Sequence, residues 1–532
     1  MIARCAIGLE VHAQLLTRNK LFTQSLNLPS SPPNTLLSPF DLALPGSLPV
    51  LNLDCVEKAL VAATVLKCRI NDTSRFERKH YFYPDNPSGY QITQNRWPIA
   101  SEGVLEFGDG QKSLINRIQL ETDTGKSKRA EVHGFYDDVE EDAVGTVDLD
   151  FNRAGSPLIE IVFEPDITSP SDASLAVLSL RNLLRHVSVC DGKFELGSIR
   201  CDLNVSVWHG TKDEDIPEIG GLGNRVEVKN LNSLKSIVSA ATYEFSRQSA
   251  LLSSSPSVPI TQETRTFCKK TSRTVPMRKK ESTTDYRFLP DPDLPPLVLS
   301  SIPSLCIPTL QSNIPELPSA ALSRLVEQYK LPKEVASVII SSPSYISFLD
   351  TAVETAEARS KKGSRKSTGK LAANLITNVL FALVKSNVDS GAEESDSVVG
   401  PATRVTGVDV GEVVGMLNEG VITKKMGKDI ITLLHEGSYE GTMSVEEVVE
   451  EHGFKVENDG GALVEVCIGV IKSGDFDVQL EQYVKGDDKK RGKMEKFFFG
   501  KVMAASRGMA DAEALREALK EALGKELGGR IE

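Results

Sequence analysis

Apolar and polar positions alternate in short runs through the first half of the chain. The stretches 4–14, 104–107, 116–122, 158–163, 200–208 and 225–229 follow the period of a strand with one buried face. They predict a large domain, mostly β or α+β, over residues 1–295. Prolines then crowd at 290, 292, 295 and 296 and again at 315 and 318, removing backbone donors and ending any element that reaches them. Beyond them the period lengthens. Ala320, Leu322, Leu325, Val326 and Tyr329 recur at helical spacing, as do Leu371, Leu375, Val379 and Leu383. Residues 296–403 therefore predict a helical domain that closes on a polar linker at 386–403. Residues 404–532 predict a small all-α third unit, so the fold class is α+β.

A chain of 532 residues has room for about three domains at ~150 residues each. With 40% of its residues hydrophobic it is not disordered throughout. Its 61 basic and 73 acidic residues leave a net charge of −12, which excludes a protein that grips nucleic acid by bulk positive charge. Any such site is local. One candidate lies near the C-terminus, where Lys493, Lys496, Lys501 and Arg507 interleave with Phe497, Phe498 and Phe499. Cations meet phosphates and rings stack on bases, although a buried Phe face under a solvated basic face gives the same pattern. The eight cysteines contain no CxxC pair, so no zinc site and no secreted disulfide framework are expected, and the setting is a reducing one. No run approaches 18 consecutive apolar residues, so no membrane partner is expected. Residues 1–10 read directly as a strand with no apolar or Arg/Ser-rich leader, so import into an organelle would need a missing or unusual signal.

Charged residues on the strand faces carry the candidate chemistry. In residues 7–14, Glu10, His12 and Gln14 share one side of the strand, and a carboxylate and an imidazole so placed can hold a divalent ion. In 117–127, Arg117, Gln119, Glu121 and Asp123 share a side, and the two acids are natural oxygen ligands for Mg²⁺. Solvated strand faces would look alike. Gly125-Lys126-Ser127 is not a P-loop, because position 120 is Leu where that motif needs glycine. Residues 150–166 combine Asn152, Arg153 and Glu160 with Gly and Pro, offering a guanidinium fork for phosphate or carboxylate, or else a structural turn with an internal Asn–Arg–Asp network. Arg200, Asp202, Asn204 and Ser206 repeat the theme, as do Glu227 and Lys229. So many mixed-charge faces in one domain point to a shared cavity for a charged ligand. Between residues 75 and 91, cations including Lys79 adjoin Tyr81, Phe82, Tyr83 and Tyr90, rings on which bases stack well unless they are buried in a structured loop. No Ser-His-Asp or Cys-His arrangement supplies a covalent nucleophile.

The runs 7–12, 41–46, 48–50 and 79–86, and above all Asp150-Phe-Asn-Arg-Ala-Gly-Ser-Pro-Leu-Ile-Glu160, closely resemble the B-subunit family of the glutamyl/aspartyl-tRNA amidotransferases. The likeness continues through 197–204, 227–233, 262–265, 285–288, 314–318 and 492–508 and covers nearly the whole chain. It implies a cradle domain with kinase-type chemistry (1–295), a helical domain (296–403) and a tRNA-binding tail (404–532). It also implies ATP and Mg²⁺, and conversion of misacylated Glu-tRNA(Gln) through a γ-phosphoryl intermediate. The implied partners are a glutaminase A-subunit of the amidase family and a small C-subunit, or its organellar replacement, in a heterotrimer. By position, the resemblance puts Glu10, His12 and Glu121 at the catalytic centre and on the metal, with Asp123 filling in. Lys79, Tyr81, Arg153, Glu160, Arg200 and Lys229 fall to substrate or nucleotide, and Lys493, Lys496, Lys501 and Arg507 to the tRNA. The family commonly carries His and Glu where this chain has Gln119 and Thr122. That departure motivates a second reading, a non-catalytic tRNA-binding scaffold, and a stand-alone ligase is a third. The Ser-rich segment 251–258 and Gln119 point toward a mitochondrial protein, with chloroplast and bacterial cytoplasm left open.

Overall fold

The computed structural model describes residues 2–108, 110–129, 147–210, 224–254, 260–279, 286–388, 404–436, 444–454, 456, 460–473, 476–484, 488–505 and 512–527. Two compact units divide the chain, the first ending at Leu317 and the second beginning at Pro318. The division falls at the second proline cluster.

The first unit is built on a nine-stranded sheet. Its strands and their small neighbours are β1 (Ile2–Gln14), β2 (Arg69–Ile70), β3 (Glu77–His80), β4 (Tyr90–Thr93), β5 (Ala100–Phe107), β6 (Gln111–Thr122), β7 (Pro157–Phe163), β8 (Ile199–Gly210), β9 (Val226–Leu231), β10 (Glu263–Cys268) and β11 (Arg273–Lys279). The large sheet runs in the order β11-β10-β9-β8-β1-β7-β6-β5-β2, while β3 and β4 belong to a separate three-stranded sheet. All pairings in the large sheet are antiparallel except β9 with β10. β1 sits at the centre because both its edges are paired, to β7 and β8.

Alternation along β1 decides which face is which. Ile7, Leu9, Val11 and Ala13 are at most 1% exposed and lie in the core. Helices α1 (Leu53–Val65), α2 (Pro170–His186) and α3 (Leu234–Ser254) contribute Leu60, Val177, Leu180, Leu184, Ile237 and Ala241 to the same core. Asn52 and Ser169 start the first two helices by accepting the backbone N–H of Asp54 and Asp172. These helices make the first unit α+β, although none of the three is located by the strand pattern of the sequence. Each buried Leu, Ile or Val here contributes about 1.5–3 kcal/mol, which fixes the register and commits the even-numbered residues of β1 to the other face.

The second unit holds two separate cores. One, including Leu325, Tyr329, Val353, Ile376, Val414 and Ile430, draws on residues 321–449, on both sides of the expected boundary at 403. The other, including Cys467, Phe498, Val502, Leu515 and Leu519, draws on residues 463–523. Most of the expected linker, residues 389–403, lies outside the described residues. Among the described residues one helical stretch, Arg365–Val384, is long and apolar enough to cross a membrane. Its Ala372, Ala373, Leu375, Ile376 and Leu380 are buried in the first of these two cores.

Candidate functional site

Four neighbouring strands bring one row of polar residues into line. Gln119 on β6 stands opposite Glu160 on β7, Glu160 opposite His12 on β1, and His12 opposite Arg200 on β8. In the next row Glu10 faces Asp202. Residues thus gathered from positions 10 to 202 form one cluster because their strands pair side by side.

Glu10, His12 and Glu160 lie closest together. Their donor atoms are within 4.8 Å of one another, and His12 Nε2 is 3.9 Å from a carboxylate oxygen of each acid. Among the described residues this is the group able to hold a metal ion. Burial, then the neighbouring Glu160, pushes the Glu10 carboxyl up to about 8, with His12 pulling the other way. Burial and Glu121 likewise raise Glu160, against Lys79. Buried acids held above their ordinary range mark a site short of positive charge, which fits a cation. Two carboxylates and an imidazole suit Mg²⁺ completed by water or phosphate oxygens, and Mn²⁺ as well.

Gln119 fixes the inner acid. Its amide donates to Glu160 Oε2 at 2.6 Å and to Thr93 Oγ1 at 3.2 Å, and its carbonyl accepts from Arg117 Nε at 2.9 Å. Glu121 and Asp123, which the resemblance places on the metal, are otherwise engaged. Glu121 meets Lys79 Nζ at 3.5 Å, and Asp123 meets Arg153 at 3.4 Å and Arg200 at 3.1 Å. Burial lowers the Lys79 ammonium, but Glu121, Glu160 and Glu10 together outweigh it and hold Lys79 above the ordinary lysine range. Asp123, then burial acting against it, leaves Arg200 raised. Lys229 bridges Asp202 at 3.7 Å and Glu227 at 3.2 Å. Tyr81 donates its hydroxyl to Gln91 Oε1 at 2.8 Å, and burial raises its pKa.

Arg153 serves the turn as much as the cavity. Its guanidinium donates to the carbonyls of Thr124 at 2.9 Å and Gly125 at 2.6 Å, so it ties its turn to the segment after β6 rather than forming an Asn–Arg–Asp network within the turn. Asn152 is fully buried and holds the 31–36 loop through Leu36 N, Ser31 O and Pro32 O. Beside Glu10 a cleft of about 510 Å³ follows the sheet. Ala6 and Gly8 line it together with Arg117, Asn204, Arg225 and Gln262. Arg117, Asn204 and Arg225 lie in strand stretches that the sequence marks, and Gln262 falls in a run of the family likeness; the small residues at alternate positions of β1 are the signal of the cleft itself.

In the helix Asp488–Ala505, the last but one of the chain's described helices, Phe498 is fully buried, and Phe497 and Phe499 pack against the same core. Lys501 Nζ lies 5.2 Å from the Phe476 ring centroid and 5.6 Å from that of Phe497. The rings are therefore packing residues, and Lys493 and Lys496 stand exposed on the same helix. Arg507 lies outside the described residues.

Known proteins share this arrangement of sequence. A family model described as the GatB/GatE catalytic domain matches residues 5–302, and one described as the GatB domain matches residues 357–523. The chain is 38% identical over 507 residues to the B-subunit of the aspartyl/glutamyl-tRNA(Asn/Gln) amidotransferase of Neorickettsia sennetsu, covering 95% of this chain and 93% of that one. It is 35% identical over 569 residues to the mitochondrial B-subunit of the glutamyl-tRNA(Gln) amidotransferase of Phytophthora infestans, covering 95% and 92%. The corresponding B-subunit of Pelagibacter ubique is 37% identical over 514 residues, covering 96% and 94%.

Proposed function

We infer the chemistry of this site from one premise: the chain belongs to the GatB/GatE family and is the B-subunit of a tRNA-dependent amidotransferase, a ligase-type enzyme. In our reading the substrate is a misacylated Glu-tRNA(Gln), and the first unit activates the side-chain carboxylate of its glutamate. ATP supplies the phosphoryl group that turns a poor leaving oxygen into a good one, and an A-subunit of the amidase family supplies ammonia to displace it. A small C-subunit or its replacement completes the assembly. Mitochondrial placement belongs to the same proposal, supported by the likeness to the mitochondrial Phytophthora protein.

The observation that carries this reading is the Glu10–His12–Glu160 group beside Lys79, Arg153, Arg200 and Lys229. Glu10, His12 and Glu160 would hold Mg²⁺, which when bound supplies charge stabilisation to phosphate oxygens. Gln119 keeps the Glu160 carboxylate aimed. Lys79, pinned between acids from three strands, stays charged and can face an anion at the edge of the group. Arg200 and Lys229 continue this cationic edge, each balanced by an acid, so the site binds anions without an uncompensated buried charge. The lysines at 493, 496 and 501 are assigned to the body of the tRNA.

Replacement of Glu10 and His12 by alanine in the assembled complex is expected to abolish Glu-tRNA-dependent ATP hydrolysis, a loss of about 100-fold or more, with glutamine hydrolysis retained. Unchanged ATP use would overturn the site assignment. The non-catalytic scaffold reading predicts the opposite pattern, activity lost only on truncation of the tail.

A further inference from the structure

The charge cluster explains Lys79 but not the rings that follow it. Phe82 is 88% exposed and Tyr83 63%, the most open large rings among the described residues. The backbone that carries them is firmly built. Tyr81 N donates to Gly89 O at 3.0 Å, and Gly89 N donates to Asn86 O at 3.0 Å. The buried Asn86 donates from its backbone to Tyr83 O and from its side chain to Tyr81 O, both at 3.0 Å. Gly89, at φ +71°, leaves space that a Cβ would take from the Phe82 ring, 2.9 Å away. The loop backbone thus carries two rings outward, and among the described residues nothing covers their outer faces.

The rings lead somewhere. Tyr81 lies 6.3 Å from Tyr83 and 6.4 Å from Tyr286, and Tyr286 lies 6.1 Å from Phe288, centroid to centroid. Lys79 Nζ sits 5.7 Å from the Tyr286 ring and 3.5 Å from Glu121. The same loop is tied to the acidic turn, since Asp85 accepts from Gly125 N at 2.9 Å through its carbonyl and from Ser127 Oγ at 3.0 Å through its carboxylate. An aromatic series therefore runs from open surface to the edge of the metal-binding group.

We propose that Phe82 and Tyr83, continued by Tyr81 and Tyr286, are the stacking platform for the unpaired 3′-terminal nucleotides of the aminoacyl-tRNA, delivering the esterified amino acid to Lys79 and the Glu10–His12–Glu160 group. The proposal rests on the function inferred above and adds the residues that seat its substrate. A base within a duplex has both faces covered, so open rings select unpaired nucleotides, and stacking accepts any base because each has a π-face. A protein partner fits less well. Protein interfaces deplete charge at the core of the patch, whereas these rings directly follow Lys79 and His80 in the chain.

The test uses the assembled complex and acceptor-stem minihelices, one ending in unpaired nucleotides with 2-aminopurine at the last position and one blunt. The tailed minihelix is expected to show quenched 2-aminopurine fluorescence on binding. Phe82→Ala and Tyr83→Ala are each expected to relieve the quenching and weaken tailed binding about 5-fold or more, with blunt binding unchanged. Phe82→Trp should restore both. Because the rings are exposed, the alanine variants leave no core void. Glu10→Gln, which stops ATP use under the functional reading, should leave the quenching intact, so the two ideas fail separately. Equal loss for both minihelices, unaltered quenching in the alanine variants, or dissociation of the complex with RNA affinity unchanged would each overturn the proposal.

Discussion

Glu10 answers to two opposed demands, burial on a rigid strand and availability as a charged ligand. The unfolded carboxyl ionises near 4.5, the folded one near 8. Between these values the folded chain keeps a proton that the unfolded chain has lost, so this residue makes stability fall as pH rises from about 4.5 to 8, with no further change above. Glu10→Gln removes that penalty. In chelator-containing buffer the variant should match the parent near pH 4.5 and exceed it by about 1–3 kcal/mol at about pH 8.5. Both tryptophans, Trp97 and Trp208, lie in the first unit, so tryptophan fluorescence on denaturation follows that unit alone. A pH-independent difference would contradict the burial of this charge. At this scale the sequence is half legible. Alternation puts Glu10, His12 and Gln14 on one face, as the structure has them, but the pairing of His12 with Glu160 depends on strand register between residues far apart in the chain, for which no local pattern exists. Gln119 is similar: as a departure from the family pattern it looks like a lost ligand, and only the fold reveals an amide clamping Glu160 at 2.6 Å.

Elements hold the site by staples that are invisible in any one of them. Lys20 and Asp41 form an ion pair at 3.2 Å with both side chains fully buried. Asp41 also accepts from Ser38 N at 2.8 Å, and Lys20 Nζ donates to Leu36 O at 3.1 Å. Leu21 N in turn donates to Gly155 O at 3.1 Å, and Gly155, at φ +77°, leaves room that a Cβ would take from the Asp41 carboxylate, 2.8 Å away. The 15–50 segment is thereby locked to the turn that carries Asn152 and Arg153. Asp41→Ala would strand the Lys20 ammonium in the core and should cost about 3–5 kcal/mol by urea denaturation. A loss under about 1 kcal/mol would mean that water reaches the pair. Strand positions are readable because the period-2 pattern is local, as in β6 and β7. The helices α1 to α3 do not stand out from the chain, being interspersed among stronger strand signals. The residues of the 485–507 segment are readable as a packed Phe face or as an RNA-stacking one. Burial of Phe498 decides for packing.

Over the whole molecule, chemistry and charge are distributed unevenly. A net charge of −12 coexists with a first unit whose acids and bases are interleaved on one sheet face, and with the helix Asp488–Ala505 carrying Lys493, Lys496 and Lys501. Acidity of the whole keeps nonspecific RNA binding weak and leaves selection to local sites. The central claim is that the Glu10–His12–Glu160 group activates the side-chain carboxylate of a tRNA-borne glutamate. It is tested most directly by following that carboxylate's oxygen. Glu-tRNA(Gln) labelled with ¹⁸O at both oxygens of the side-chain carboxylate is turned over once by the assembled complex with ATP and glutamine, and the inorganic phosphate is weighed by mass spectrometry. The account predicts one ¹⁸O in phosphate for each amide formed, and neither label transfer nor amide with Glu160→Gln, while glutamine hydrolysis persists. Amide formation with unlabelled phosphate, or label transfer undiminished in Glu160→Gln, would contradict it.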